Sequence, residues 1–202
     1  MKNKKNIRKR FVSIGLVIVL ALVCNITEYT IAFAAPTAKV SYKIEKKQQI
    51  RRCKKLTAQY LYELPQIKGN SPTIRKINKL LVADYKASLQ YRNSLFQCYK
   101  ALKKSSYKKI YYISKCSVTY NQNGYISFRF ASEWYAGGVG ESREYGLTYR
   151  LKDGKKLAVQ DVASGKKSNV KKNIATAYSK KLSGQGYSYV MKMKYSDFQF
   201  YI

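Results

Sequence analysis

The chain has 202 residues, of which 40 are Lys or Arg and only 10 are Asp or Glu, so its formal net charge is +30 at neutral pH. So positive a chain favours anionic partners, namely nucleic acid, an acidic membrane surface or an anionic polymer. The chain contains no histidine, which excludes Ser-His and Cys-His nucleophile pairs and argues against a zinc site.

The first 34 residues have the composition of a secretory signal peptide. Residues 1–10 carry six basic side chains, residues 11–24 form an apolar run, and Ala32-Phe33-Ala34 fits a small-x-small cleavage site. The apolar run is shorter than the roughly 18 to 20 residues that a membrane-spanning helix needs. We therefore predict that residues 1–34 are removed and that the chain is secreted and associated with the cell envelope. An uncleaved signal anchor is the alternative, and only that alternative places the chain in a membrane.

Residues 35–202 have the length of one ordinary domain. They keep 34 of the 40 basic and nine of the 10 acidic residues, which leaves a net charge of about +25. Export argues against nucleic acid as a partner, and the lysines are scattered rather than gathered in one basic helix. An anionic cell-wall polymer or glycan is therefore the expected partner. The competing interpretation is that lysine serves only to keep the chain soluble.

Three cysteines remain after cleavage, namely Cys53, Cys98 and Cys116. In an exported chain they allow one disulfide bridge and one free thiol, with three possible pairings. It is equally consistent with the sequence that all three are buried thiols that act as small apolar residues. No Cys-x-x-Cys spacing is present, and neither a metal nor a cofactor is expected.

The N-terminal part of the domain alternates between apolar and polar residues. Residues 40–44 are predicted to form a first strand, and the charged residues 45–55 are interpreted as a loop. A second strand is predicted over residues 56–64, and Pro65 ends it.

A long helix is predicted to follow. Ser71 suits the N-cap position and Pro72 the first helical position. The apolar residues after them share one helical face, which we expect to lie along a sheet. These residues are Ile74, Ile77, Leu81, Tyr85, Leu89, Phe96, Tyr99 and Leu102.

From Lys109 onward the apolar period changes to two, which is typical of strands. Asn123-Gly124 is a strong hairpin signal, and residues 126–134 continue the apolar face on a return strand. Residues 144–151 and 155–162 alternate in the same way around a second predicted turn at Asp153-Gly154. These segments predict a four-stranded antiparallel meander.

The last part of the chain is predicted to contain a second, shorter helix over residues 168–182 and strand-like residues from Tyr187 onward. The expected fold class is therefore α+β. An antiparallel sheet, built from a meander of about four strands plus N-terminal strands, packs against one long helix and a second shorter helix.

Several short stretches resemble a known extracellular domain. They are Gly137-Gly138-Val139-Gly140, the strand-turn segment LKDGKKL at 151–157 and the segment YELPQIKG at 62–69. In this respect the chain is similar to the domain shared by the anti-sigma factor RsiV and the N-terminal region of the peptidoglycan deacetylase PdaC. The resemblance covers residues 35–202 as one domain, with halves at about 39–105 and 106–202. It implies a further closing strand after residue 202, so we expect a truncated copy.

The resemblance does not imply an enzyme, since the deacetylase activity of PdaC belongs to a separate domain. Paired carboxylates serve glycoside hydrolysis in some proteins, and Glu133 with Glu144 is the pair that such a hydrolase would use here. The acidic residues are more simply explained as surface partners of lysine. We therefore assign no catalytic residue.

Binding is the function that these observations favour. Aromatic rings stack on sugars while lysines meet phosphate or carboxylate. The residues that we assign to ligand binding surround the double-glycine turn. They are Trp134, Tyr135, Gly137, Gly138, Glu141 and Glu144. The alternative is a protein-sensing domain, as the resemblance to the lysozyme-binding RsiV implies, with Glu141 and Glu144 as a local acidic patch.

Overall fold

A computed structural model of the chain describes residues 39–181 and 186–202. The predicted signal peptide lies outside these ranges. Within them, no helix is both long enough and apolar enough to cross a membrane.

Six strands form one mixed sheet that is curled into a half-barrel. The strands follow one another in the sheet in chain order, and every neighbouring pair is antiparallel except β2 and β3, which are parallel. The strands are β1 (Tyr42–Cys53), β2 (Leu56–Ile67), β3 (Lys109–Gln122), β4 (Tyr125–Ala136), β5 (Val139–Arg150) and β6 (Lys155–Lys156). Three helices accompany them, namely α1 (Pro72–Leu102), α2 (Lys167–Lys181) and α3 (Tyr187–Lys192).

The predicted fold class was wrong. The sheet is not the predicted antiparallel sheet with a four-stranded meander: it is a mixed sheet of six strands in which β2 pairs in parallel with β3, and three helices accompany it instead of two. A parallel pair needs a long crossover connection, and α1 supplies it. The presumed loop at residues 45–55 is mostly strand, since all twelve residues of β1 pair with β2. The last predicted strand, at residues 155–162, is reduced to the two residues of β6.

The C-terminal segment also differs from the prediction. Residues 187–192 form α3 instead of a strand, because Val190 is fully buried in a small second core while Tyr187 packs against its edge. The predicted helix at 168–182 is confirmed as α2.

Two local predictions are confirmed and fix the geometry around the main core. Ser71 caps α1, and its hydroxyl oxygen accepts a hydrogen bond from the amide of Ile74 at 3.2 Å. Asn123 and Gly124 turn the chain between β3 and β4 with positive φ angles of 52° and 77°, as a two-residue hairpin requires.

α1 is tied to the sheet by hydrogen bonds that lie within the apolar interface. The Asp84 Oδ2 atom accepts from the hydroxyl of Tyr62 on β2 at 2.6 Å and from the hydroxyl of Tyr145 on β5 at 2.7 Å. One turn further on, Ser88 Oγ lies 2.7 Å from the hydroxyl of Tyr60. Burial raises the pKa of Tyr62 and Tyr145, so both phenols stay protonated and remain donors. The helix is therefore fixed against two strands at one carboxylate.

The C-terminal segment covers part of the opposite face of the sheet. The backbone of Phe200 crosses β5 at Gly146, where an added Cβ atom would lie 2.3 Å from the Phe200 carbonyl group. Thr148 Oγ1 donates to the Phe200 carbonyl oxygen at 3.3 Å, and the amide of Ile202 donates to Ser127 Oγ at 3.0 Å. Only glycine leaves room for this approach.

Replacement of Gly146 by alanine is expected to lower the free energy of unfolding by about 1 to 3 kcal/mol, because the methyl group displaces the backbone of Phe200. Urea denaturation measures the change. Gly140→Ala is the matched control, since an added Cβ there meets nothing closer than 3.8 Å. Equal stability of the two variants would contradict the close approach.

Replacement of Asp84 by alanine should cost about 2 to 4 kcal/mol, because it leaves two buried phenols without their acceptor. Asp84→Asn keeps an oxygen that can accept both bonds and should cost clearly less. Urea denaturation of both variants at neutral pH provides the comparison. A loss as large in the asparagine variant as in the alanine variant would mean that the charge, not the hydrogen bonding, matters.

Candidate functional site

A cleft of about 240 Å³ lies between the middle of α1 and the neighbouring face of β3, β4 and β5. α1 contributes one wall and the strands contribute the other. Gln199 of the C-terminal segment closes one side. The remaining lining residues are Asp84, Ala87, Ser88, Gln90, Tyr91, Tyr112, Ser132, Glu133, Trp134, Glu141, Arg143 and Tyr145.

Stacked aromatic rings make the walls of the cleft rigid. The rings of Tyr91 and Tyr112 are parallel within 3° with centroids 4.8 Å apart, and Tyr112 also stacks on Tyr60. On the other side, Tyr145 stacks on Phe130 with centroids 4.8 Å apart. Such pairs stabilise beyond the area that they bury. The tyrosines therefore present fixed ring surfaces to the cleft.

The hydroxyl groups of Tyr60 and Tyr112 are uncharged at neutral pH. Burial raises the pKa of Tyr60 to about 12 and also raises the pKa of Tyr112. Ser88 donates to the carbonyl oxygen of Tyr85 at 2.7 Å, so the hydroxyl of Tyr60 is the donor to Ser88. Tyr60 thus orients the hydroxyl group of Ser88, which lines the cleft.

Arg143 lies at the mouth of the cleft. Its guanidinium group donates to the hydroxyl of Tyr91 at 3.1 Å, and its Cζ atom is 5.4 Å from the centroid of the Tyr145 ring. The cation therefore faces an aromatic ring and bridges β5 to α1. Its side chain is solvent-exposed, so its other N–H groups can reach a ligand.

Three acidic residues border the cleft, and none of them forms an ion pair with a described residue, although basic residues greatly outnumber acidic ones. They are Asp84, Glu141 and Glu133, whose side chain shares a face of β4 with Tyr135. Asp84 uses Oδ2 for its two phenol partners, and its Oδ1 accepts no hydrogen bond from the described part of the chain. These oxygens suit hydroxyl or ammonium donors of a ligand.

A second, shallower depression of about 190 Å³ lies beside the first, at the end of the β4–β5 hairpin. Tyr111 and Tyr135 pair across β3 and β4, and their ring centroids are 5.9 Å apart. Side chains alternate across a strand, so these rings face away from Trp134 and Tyr112. Glu133, Trp134 and Glu141 border both depressions.

The structure brings together some of the residues that the sequence assigns to ligand binding. Trp134 and Glu141 are directly opposite each other on β4 and β5 and line the main cleft, whereas Tyr135 lines only the shallow one. Their binding role stays a prediction. The disulfide candidates Cys53, Cys98 and Cys116 are free thiols.

The other three assigned residues line neither depression. Gly137 and Gly138 form the two-residue turn between β4 and β5, with φ angles of 62° and 79°. Glu144 lies on the opposite face, where both of its oxygens accept from the guanidinium of Arg129 and Oε1 also accepts from the hydroxyl of Tyr201. That pairing raises the pKa of Arg129.

Sequence reasoning missed the half of the cleft that α1 provides. A signal was present, since Asp84, Ser88 and Tyr91 fall on the same helical face as the core residues Ile77 and Leu81. At 100° per residue, these polar groups interrupt an otherwise apolar stripe. A polar interruption of this kind indicates a helix that faces both a core and a cavity.

No family model matches the sequence, and no curated protein matches it. Among solved structures, the chain is similar to a member of the DUF3298 family from Bacteroides fragilis, with 12% identity, a TM-score of 0.51, and coverage of 76% of this chain and 73% of the other. A DUF3298 family protein from Pseudomonas aeruginosa is 12% identical with a TM-score of 0.45, and covers 73% of this chain and 71% of its own. DUF3298 includes the RsiV- and PdaC-like domains that the sequence resembles. The likeness to the Bacteroides protein therefore shows that this chain shares its fold with a DUF3298 domain.

Proposed function

We propose that this chain is a non-catalytic binding module, secreted or held at the cell envelope, that recognises an anionic cell-wall polymer or glycan. The observation that carries the proposal is the cleft. Its aromatic residues surround polar side chains that form no ion pair with a described residue. The aromatic residues are Tyr91, Tyr112, Tyr145 and Trp134. Ring faces stack on the apolar faces of sugars, and carboxylate, amide and guanidinium groups bind sugar hydroxyls.

The charges around the cleft indicate which part of such a polymer enters it. The lining residues include the carboxylates of Asp84 and Glu141 and one cation, Arg143, so the cleft disfavours a phosphate or carboxylate except at its mouth. A neutral sugar ring is the better occupant. The anionic groups of the same polymer then contact the basic surface outside the cleft.

The position of Glu144 argues against the hydrolase pair that the sequence offered. Glu144 is held by Arg129 and Tyr201 on the face opposite the cleft, so Glu133 and Glu144 do not flank a sugar bound there. A glycosidase needs both carboxyl groups at the same bond.

Replacement of Trp134 by alanine should weaken binding to purified cell-wall glycan by about tenfold or more, because aromatic anchors dominate such contacts. Co-sedimentation at low ionic strength measures the bound fraction. Tyr189→Ala is the control, since Tyr189 is 50% exposed on α3 and lies outside both depressions. Binding of the Trp134 variant equal to that of the unchanged protein would rule out the cleft as the glycan site.

The unpaired carboxylates also favour a second function, the sensing of a cationic protein as in the lysozyme-binding RsiV. In that case Glu133 and Glu141, which border both depressions, would meet basic side chains of the partner. Immobilised lysozyme should then retain the protein, and the double change Glu133→Gln with Glu141→Gln should abolish retention. No retention at low ionic strength would remove this second candidate, because repulsion between two basic proteins would then prevail.

A further inference from the structure

β1 is an edge strand whose side chains are exposed on both faces. It pairs with β2 along all twelve residues, and no described strand pairs with its other edge. Glu45, Lys47 and Cys53 are half-buried, and the other nine residues are exposed. Strands of globular domains normally bury at least one face, so β1 offers an unusually accessible row of side chains.

That row is strongly basic. Residues 42–55 carry seven Lys or Arg and a single acidic residue, Glu45. Glu45 pairs with Lys43 and Lys47. The other five bases form no ion pair with a described residue. They are Lys46, Arg51, Arg52, Lys54 and Lys55.

The structure constrains two of these bases, Arg51 through its side chain and Lys54 through its backbone. The Arg51 guanidinium carbon lies 4.1 Å from the ring centroid of Phe96 on α1, so its plane is fixed while its N–H edges face solvent. Lys54 begins the two-residue turn to β2 with a φ angle of 52°, in the left-handed region that disfavours side chains other than Gly or Asn. Strain of this kind persists only where the surrounding structure imposes it.

We infer that β1 and its turn to β2 form a docking edge for a linear phosphate polymer. At about 3.3 Å per residue, the twelve residues of β1 spread their charges over about 40 Å. Because side chains alternate across a strand, Lys46 and Arg52 project to one face of β1 and Arg51 to the other, so an extended polyanion that follows the open edge can reach bases on both faces, whereas a compact anion meets few of them. The chemistry of the row therefore fits repeating phosphate groups on a flexible chain.

A single-stranded nucleic acid fits the row less well. Proteins that bind such strands combine basic side chains with aromatic rings on which bases stack. β1 contains one aromatic residue, Tyr42, so the row contacts phosphates and offers bases no stacking platform.

The docking edge rests on the proposed function, because it assigns the anionic part of the polymer to β1 while the cleft takes the sugar. The two surfaces use different residues. Loss of one therefore does not imply loss of the other.

The test compares two triple variants with equal change of charge. The first replaces Lys46, Arg52 and Lys55 by Gln, and the control replaces Lys166, Lys167 and Lys172, which are also exposed. The dissociation constant for inorganic polyphosphate is measured at several salt concentrations. The β1 triple should bind at least about tenfold more weakly, and its slope of log K against log salt should fall by about 2, as for three lost phosphate contacts. The control should change less than threefold.

A single variant guards against misfolding of the triple. Lys54→Gly relieves the left-handed turn and should raise the Tm by about 2 °C, yet it should weaken polyphosphate binding. Equal losses in both triples would overturn the proposal, since diffuse charge would then explain binding. So would orthophosphate bound as tightly as the polymer, or single-stranded DNA of equal charge bound more tightly.

Trp134→Ala tests the cleft separately: retained polyphosphate binding with lost glycan binding supports both surfaces. No loss of glycan binding removes the cleft alone.

Discussion

The arrangement of this molecule depends on the two hydrogen bonds that Asp84 accepts from Tyr62 and Tyr145. They join α1 to β2 and β5, which are separated in the sheet by β3 and β4. A hydrogen bond to a carboxylate is among the stronger polar contacts in a protein. α1 is held here above a curled sheet, and its next two turns form one wall of the cleft opposite β3, β4 and β5.

Charge is distributed unevenly around this frame. Four of the nine described acidic residues form ion pairs, as Glu45 does with two lysines and Glu144 with Arg129. Among the described residues, the acidic side chains of the cleft form no ion pair, and neither do three of the five bases of β1. The molecule thus separates a small acidic, aromatic cavity from a long basic edge. Ligands that combine neutral and anionic parts suit such a surface, whereas a uniformly charged ligand suits only one of its regions.

The sequence predicts local structure well where one residue type decides the conformation. Ser71 and Pro72 mark the start of α1, and Asn123-Gly124 marks a hairpin, because caps and positive φ angles admit few alternatives. Strand pairing is different, since periodicity does not say which neighbour a strand meets. The parallel pair of β2 and β3 follows from the long crossover through α1, and the strand character of β1 follows from its partner β2. Likewise, Trp134 and Glu141 were predicted from the hairpin, while Tyr91 joins them only through the packing of α1 on the sheet.

Trp134 is the single tryptophan of the chain, and it stands half-buried in the wall of the cleft. Indole emission therefore originates from one place in the molecule, without contributions from the core or from the C-terminal helices. The intrinsic fluorescence spectrum is consequently a direct optical readout of solvation in the cleft, available in the unlabelled protein.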